Sequence, residues 1–146
     1  MPTILSRDPQ ETLALGRQWG EQALAGWVIG LGGELGAGKT QLAKGLAWGL
    51  GITARVHSPT FAIVHEYAGG RLLLVHLDLY RLETPAALSS AGLEDYLYAP
   101  PGVVVIEWFD RWEAAGMRPP AGPLRRVWIE TGGPDERRIH YEDSGP

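Results

Sequence analysis

The stretch GELGAGKT, residues 33–40, constrains this chain most, because it joins an apolar run to a helical pattern. It matches the spacing G-x-x-x-x-G-K-[ST], with Gly33, Gly38, Lys39 and Thr40 at the defining places. Glycines permit backbone angles that point successive N–H groups at an anion, and a following helix N-terminus favours negative charge. We therefore predict a phosphate-binding loop, with Lys39 on the β- and γ-phosphates of a nucleotide and the Thr40 hydroxyl on Mg²⁺.

Apolar patterning around this loop predicts an α/β fold. Trp27–Leu31 and Val103–Glu107 are short apolar runs typical of buried central strands. A first helix is expected from Pro9, and Lys39–Leu50 has apolar residues at helical spacing. Its two glycines, at 45 and 49, weaken that helix by roughly 1 kcal/mol each relative to alanine.

The second half of the chain predicts hairpins. Phe61–Tyr67 and Arg71–Leu79 are rich in β-formers and are joined by Gly69-Gly70. Thr84-Pro85 reads as a helix N-cap followed by proline at the first helical position. A last hairpin is expected around TGGPDE, after a Pro- and Gly-rich loop, with the tail EDSGP loose. The prediction is one P-loop nucleotidase-like α/β domain over residues 1–146, a sandwich whose mixed sheet has a parallel centre and antiparallel hairpins.

Composition excludes several classes of protein. The chain has no cysteine, so disulfides, zinc thiolate sites and thiol nucleophiles are excluded. Its net charge of −4 argues against a general nucleic-acid binder, so we expect no DNA partner and RNA held by another protein. No apolar run is long enough for a membrane span, and the N-terminus lacks a secretory pattern. We expect a cytoplasmic protein without a membrane partner.

Two acids can complete a nucleotide site. P-loop nucleotidases place a carboxylate near the metal, at the carboxyl end of a buried strand. Glu107 ends VVVIE, and Asp78 nearly ends LLLVHLD. The residues favour Glu107 and leave Asp78 evenly divided between a site acid and an exposed hairpin acid.

Other polar and aromatic residues can have either a functional or a structural role. Ser58 and Thr60 follow the P-loop helix, where a γ-phosphate-sensing loop is often found, but the segment also suits a plain turn. His76 alternates with apolar residues, which favours a structural role. Trp108 follows Glu107 and belongs either to the core or beside the nucleotide or a partner.

Missing motifs narrow the class further. There is no asparagine, so the guanine-reading N-K-x-D motif is absent and an ordinary GTPase is disfavoured. The region Tyr80–Tyr98 is short and carries a single arginine, Arg81, unlike the lid of a small-molecule kinase.

The motifs GELGAGKT, SPTF, HLDLYRL and VVVIEW, in this order, resemble those of the TsaE (YjeE) family over about Pro9 to Arg138. These are small bacterial ATPases needed for threonylcarbamoyladenosine on tRNA. The resemblance implies Mg²⁺ and ATP binding, weak hydrolysis alone, and work in a complex with TsaD and TsaB. In that family TsaD carries the transfer to adenosine 37 of ANN-decoding tRNAs, and the resemblance implies that the ATPase meets tRNA indirectly, through the complex.

The resemblance also implies roles for individual residues. It assigns Thr40 and Glu107 to Mg²⁺, and Lys39, Asp78 and Glu107 to catalysis. A nucleotide contact from the segment near Pro9–Thr12 and from a C-terminal arginine is also implied; of Arg137 and Arg138 we take Arg138. The nucleotide-binding set is Gly33, Glu34, Gly36, Ala37, Gly38, Lys39, Thr40, Gln41, Ser58, Thr60, Asp78, Trp108 and Arg138.

Two other functions stay open. A nucleotide-gated interaction module would need Lys39 but not Asp78. A small-molecule kinase would need a second substrate.

Overall fold

The computed structural model of the chain describes residues 2–33, 38–53, 64–80, 82 and 84–145. The strands within these ranges are β1 (Thr3–Ser6), β2 (Val28–Gly33), β3 (Val64–Tyr67), β4 (Leu74–Asp78), β5 (Val103–Glu107), β6 (Leu124–Thr131) and β7 (Arg137–Ser144). The helices are α1 (Pro9–Gln22), α2 (Lys39–Gly49), α3 (Pro85–Ser90), α4 (Glu94–Tyr98) and α5 (Phe109–Ala114). None of the helices described is long and apolar enough to cross a membrane.

The strands form one mixed sheet in the order β1-β7-β6-β2-β5-β4-β3. We call β2, β5 and β4 the parallel centre, because β5 pairs in parallel with both of the others. We call β6, β7 and β1 the antiparallel flank; β6 joins the centre through a parallel pairing with β2. The predicted α/β fold with a parallel centre and antiparallel hairpins is confirmed.

Helices cover both faces of the parallel centre. On one face, α1 and α2 bury side chains such as Trp19 and Leu46 against Leu31 of β2. On the other face, the short helices bury side chains such as Leu88 and Trp112 among apolar residues of β4 and β5. The apolar runs are thus buried on both sides, as expected for central parallel strands.

Helices α1 and α2 touch through glycine. A Cβ on Gly45 would lie 2.2 Å from the Leu13 carbonyl oxygen, and one on Gly20 would lie 2.4 Å from that of Leu46. Gly16 meets Gly45, and Gly20 meets Gly49. The two helices therefore run in parallel at backbone contact, with their N-termini at the same end. The glycines that weaken α2 as a helix are what allow it to pack this closely.

The two predicted hairpins are present with shifted bounds. Strands β3 and β4 pair with Tyr67 opposite Leu74, and residues 61–63 of the prediction lie outside the described residues. The predicted cap of α3 is confirmed, since Thr84 Oγ1 accepts from the Ala87 N–H at 3.1 Å.

Three features differ from the prediction. The tail is not loose, because β7 continues to Ser144, which pairs with Leu124 of β6. Strand β1 was not predicted, because its four residues are held by pairing with the distant β7. Helix α5 was expected to be loop; it is too short to form alone and is held by burial of Phe109 and Trp112.

Candidate functional site

The first turn of α2 presents a buried ammonium group. Gly38 caps the helix in the left-handed region, at φ 103°. Lys39 follows, is 5% exposed, and donates from Nζ to the Gly33 carbonyl oxygen at 2.9 Å. Burial lowers the pKa of Lys39, although Glu107, Asp110 and Asp78 oppose that shift. The lysine thus bridges the two described ends of the phosphate loop.

Thr40 and Glu107 meet although they are 67 residues apart in sequence. The Thr40 hydroxyl donates to Glu107 Oε2 at 3.1 Å and lies 3.3 Å from Oε1. Glu107 ends β5, next to β2, so the carboxylate reaches the start of α2 across the sheet edge. The two residues that the sequence assigns to Mg²⁺ therefore lie side by side.

His76 also contacts this carboxylate. Its Nε2 lies 2.6 Å from Glu107 Oε2, and its side chain is fully buried. The structural role expected from its apolar neighbours is therefore incomplete. One sequence signal pointed to the contact: His76 precedes Asp78 by two residues on one strand, so both face the same side of the sheet.

Asp78 lies at the same sheet edge as Glu107. Strand β4 pairs with β3 on one side and with β5 on the other, and the β5 register sets Asp78 opposite Glu107. Its Oδ1 accepts from the Tyr80 N–H at 2.9 Å. Burial raises the pKa of Asp78, and the nearby Glu107 charge raises it further. The structure therefore places Asp78 beside Glu107, and its role at the site stays a prediction.

Trp108 has a strained backbone beside the lysine. At φ 63° and ψ 40°, it is the non-glycine residue with positive φ in the described part of the chain. Such a conformation costs on the order of 1–3 kcal/mol and is common at functional sites. The Lys39 Nζ lies 4.1 Å from the ring centroid, and the Tyr80 ring packs at 5.3 Å. Trp108 therefore lies beside Lys39, and a contact with nucleotide stays a prediction.

Two further predicted residues lie around this centre. Gln41 Nε2 donates to the Pro9 carbonyl oxygen at 3.2 Å, so it ties the start of α2 to that of α1. Arg138 is exposed on β7 opposite Glu130, at the same sheet end as Gly33 but separated from β2 by β6. The predicted residues that lie outside the described residues are Glu34, Gly36, Ala37, Ser58, Thr60 and Arg81.

The donor set fits a phosphate group with a hard cation. Lys39 and the N-terminus of α2 supply positive potential, and Thr40 and Glu107 supply oxygen ligands. Within the described ranges no group of three His, Cys, Asp or Glu residues is placed to hold a metal alone. One carboxylate and one hydroxyl match the way Mg²⁺ is bound together with substrate phosphates.

Comparison with known proteins gives a consistent result. The family model of the threonylcarbamoyl adenosine biosynthesis protein TsaE matches residues 6–139. The chain is 50% identical over 114 residues to the tRNA threonylcarbamoyladenosine biosynthesis protein TsaE of Nostoc, covering 76% of this chain and 70% of that one. Against the Bacillus subtilis protein of the same name, identity is 41% over 138 residues, with 94% and 83% coverage.

A solved structure agrees with the sequence relatives. The crystal structure of YdiB from Bacillus subtilis superposes with a TM-score of 0.77 at 33% identity, covering 99% of this chain and 86% of that one. The match therefore includes the flank as well as the centre of the sheet. The chain belongs to the TsaE family of threonylcarbamoyladenosine biosynthesis proteins.

Proposed function

We propose that this protein binds ATP with Mg²⁺ and hydrolyses it slowly, as the ATPase component of tRNA threonylcarbamoyladenosine synthesis. The observation that carries the proposal is the convergence of Lys39 and Thr40, at the start of α2, with Glu107 at the end of β5. A phosphate-binding helix start next to a strand-end carboxylate is the arrangement that P-loop nucleotidases use.

Each residue has a role in this proposal. The Lys39 ammonium neutralises charge on the β- and γ-phosphates, and its contact with the Trp108 ring holds it towards the loop. Thr40 and Glu107 would hold Mg²⁺, which would neutralise negative charge on the phosphates. Asp78 orients or polarises the attacking water, and burial raises the pKa of its carboxyl above the usual value. Arg138 and the start of α1 are the candidates for contacts with the nucleotide beyond its phosphates.

Slow hydrolysis by the isolated protein is part of the proposal. An arginine finger is worth about 10³–10⁵ in rate, and a partner can supply it. Arg81 is the candidate within this chain. We propose that the protein works in a cytoplasmic complex with TsaD and TsaB, that TsaD performs the transfer to adenosine 37, and that tRNA is contacted through the complex.

The test is ATP hydrolysis by the purified protein with Mg²⁺, alone and with TsaB and TsaD. We expect weak turnover that rises with the partners and is lost in Thr40→Ala. Nucleotide binding without turnover, unchanged by the partners, would replace this proposal with the nucleotide-gated module. Phosphate transfer to an added small molecule would replace it with a kinase.

A further inference from the structure

A buried histidine supports the carboxylate of the proposed Mg²⁺ site. His76 lies on β4, the strand that pairs directly with β5, and is fully buried. The polar contact of its side chain in the described part of the chain is the one at 2.6 Å from Nε2 to Glu107 Oε2. An ionised carboxylate can only accept, so Nε2 carries the hydrogen in this pair.

The other ring nitrogen shows that stability does not account for this histidine. Among the described residues, Nδ1 of His76 has no hydrogen-bond partner although it is buried. An apolar side chain at this fully buried position would avoid burying an unpaired nitrogen. A leucine in place of His76 would lose the contact with Glu107.

The contact also sets the direction of the carboxylate. Oε2 of Glu107 is shared by the His76 ring and the Thr40 hydroxyl, which approach it from different elements. A carboxylate held from β4 keeps one orientation towards the start of α2. Hydrogen bonds to metal-ligating groups orient them in the same way in other metal sites.

We propose that His76 is a positioning residue, whose Nε2–H holds Glu107 in the orientation that binds Mg²⁺ beside Thr40. The inference rests on the proposed function, because it assumes that Glu107 meets the cation. It adds a residue that acts through Glu107 and touches neither nucleotide nor metal.

The experiment compares His76→Leu, which removes the donor, with His76→Gln, whose amide nitrogen can replace Nε2. Binding of a fluorescent non-hydrolysable ATP analogue is followed while Mg²⁺ is titrated, and again in EDTA. His140→Leu is the matched control, because His140 pairs with Glu130 at 3.2 Å on the antiparallel flank. Thermal unfolding of each variant reports its stability.

We expect His76→Leu to raise the Mg²⁺ concentration for half-maximal binding by about 10–100-fold, the usual effect of losing such a support. Binding in EDTA stays at the wild-type level, and His76→Gln and His140→Leu stay within about 3-fold of wild type. A histidine with a structural role alone would lower the melting temperature without moving the Mg²⁺ midpoint, and this result overturns the inference while leaving the proposed function intact.

Wild-type behaviour separates the two proposals. If Mg²⁺ has no effect on nucleotide binding by the wild type, the proposed function fails and the inference fails with it. If His76→Leu does not fold, ¹⁵N NMR of the wild-type ring decides. A hydrogen on Nε2, with a signal that shifts when Mg²⁺ joins the nucleotide complex, supports the inference; a hydrogen on Nδ1 or an unmoved signal overturns it.

Discussion

Charged side chains have opposite effects in the parallel centre and in the antiparallel flank. In the centre and at the start of α2 beside it, burial raises the pKa of Asp78 and lowers that of Lys39, so folding disfavours both charges. In the flank, Arg125 donates to Asp143 at 2.7 and 2.9 Å and lowers the pKa of that carboxyl. A buried aspartate therefore opposes folding in the centre, whereas an aspartate paired with arginine supports it in the flank.

The difference separates binding from stability. Burial disfavours the charged forms of Asp78 and Lys39, and a charged ligand can offset that cost. In the flank Asp143 is already paired with Arg125, whose guanidinium also lies 4.5–5.0 Å from the rings of Trp19, Trp27 and Tyr141. Removing a charge should therefore stabilise the centre and weaken the flank.

Lys39→Met should have the largest effect on function. We expect nucleotide affinity and turnover to fall by about 10²–10³, the usual cost of removing one donor to developing charge. Without nucleotide the variant should be more stable at neutral pH. The lowered pKa means that a charged Lys39 costs stability below that pKa, and that the cost is relieved as pH rises towards 10.5. Calorimetric titration and urea unfolding measure the two effects; a less stable variant would contradict the comparison.

Asp78→Asn should lower function while raising stability, and the effect on stability should depend on pH. The amide keeps an oxygen for the Tyr80 N–H, but turnover should fall by about 10² if Asp78 directs the attacking water. Since the folded pKa is raised, wild-type stability declines as pH rises from 3.8 through that pKa, and the variant escapes this decline. As pH rises from 3.8, the melting temperature of the wild type should therefore fall relative to that of the variant. Parallel curves would show that Asp78 is not held in an unfavourable environment.

Gly45→Ala tests the helix contact that places Lys39 and Thr40. The new Cβ would lie 2.2 Å from the Leu13 carbonyl oxygen, so we expect a loss of about 2 kcal/mol in the free energy of unfolding. At an exposed helix position the same change would stabilise by about 1 kcal/mol, so the sign is diagnostic. Lys44→Ala, at an exposed neighbour, is the control and should stay within about 0.5 kcal/mol. Unchanged stability for Gly45→Ala would refute the close contact.

Asp143→Asn should have the smallest effect. Its side chain is 57% exposed, so screening limits the loss to about 0.5 kcal/mol at neutral pH. Because the folded pKa is lowered, the contribution is present above 3.8 and is lost as pH falls through that pKa. Urea unfolding at neutral and acid pH, at low and high salt, measures it. An Asp143→Asn variant more stable than wild type at neutral pH would show that the Asp143 charge, like that of Asp78, opposes folding.

Local features of the sequence were enough to single out Thr40 and Glu107, which the structure brings together. The phosphate loop, α2 and the acid at the end of β5 are each contiguous stretches, and their periodicity and glycine spacing identify them without knowledge of the rest. The resemblance carried by HLDLYRL and SPTF identified the family, which the comparisons confirm. The hairpins followed from turn residues between β-rich runs, although their ends did not.

Tertiary structure decided what depends on pairing between distant segments. The place of β4 between β3 and β5 set Asp78 opposite Glu107, and no local pattern contains that information. The same register brought His76 to Glu107, where alternation alone indicated a core histidine. Strand β1 and helix α5 are too short to form alone, and the glycines of α2 have their purpose only against α1. The sequence determined which chemistry the chain carries, because motif residues are local, while long-range packing decided which side chains support it.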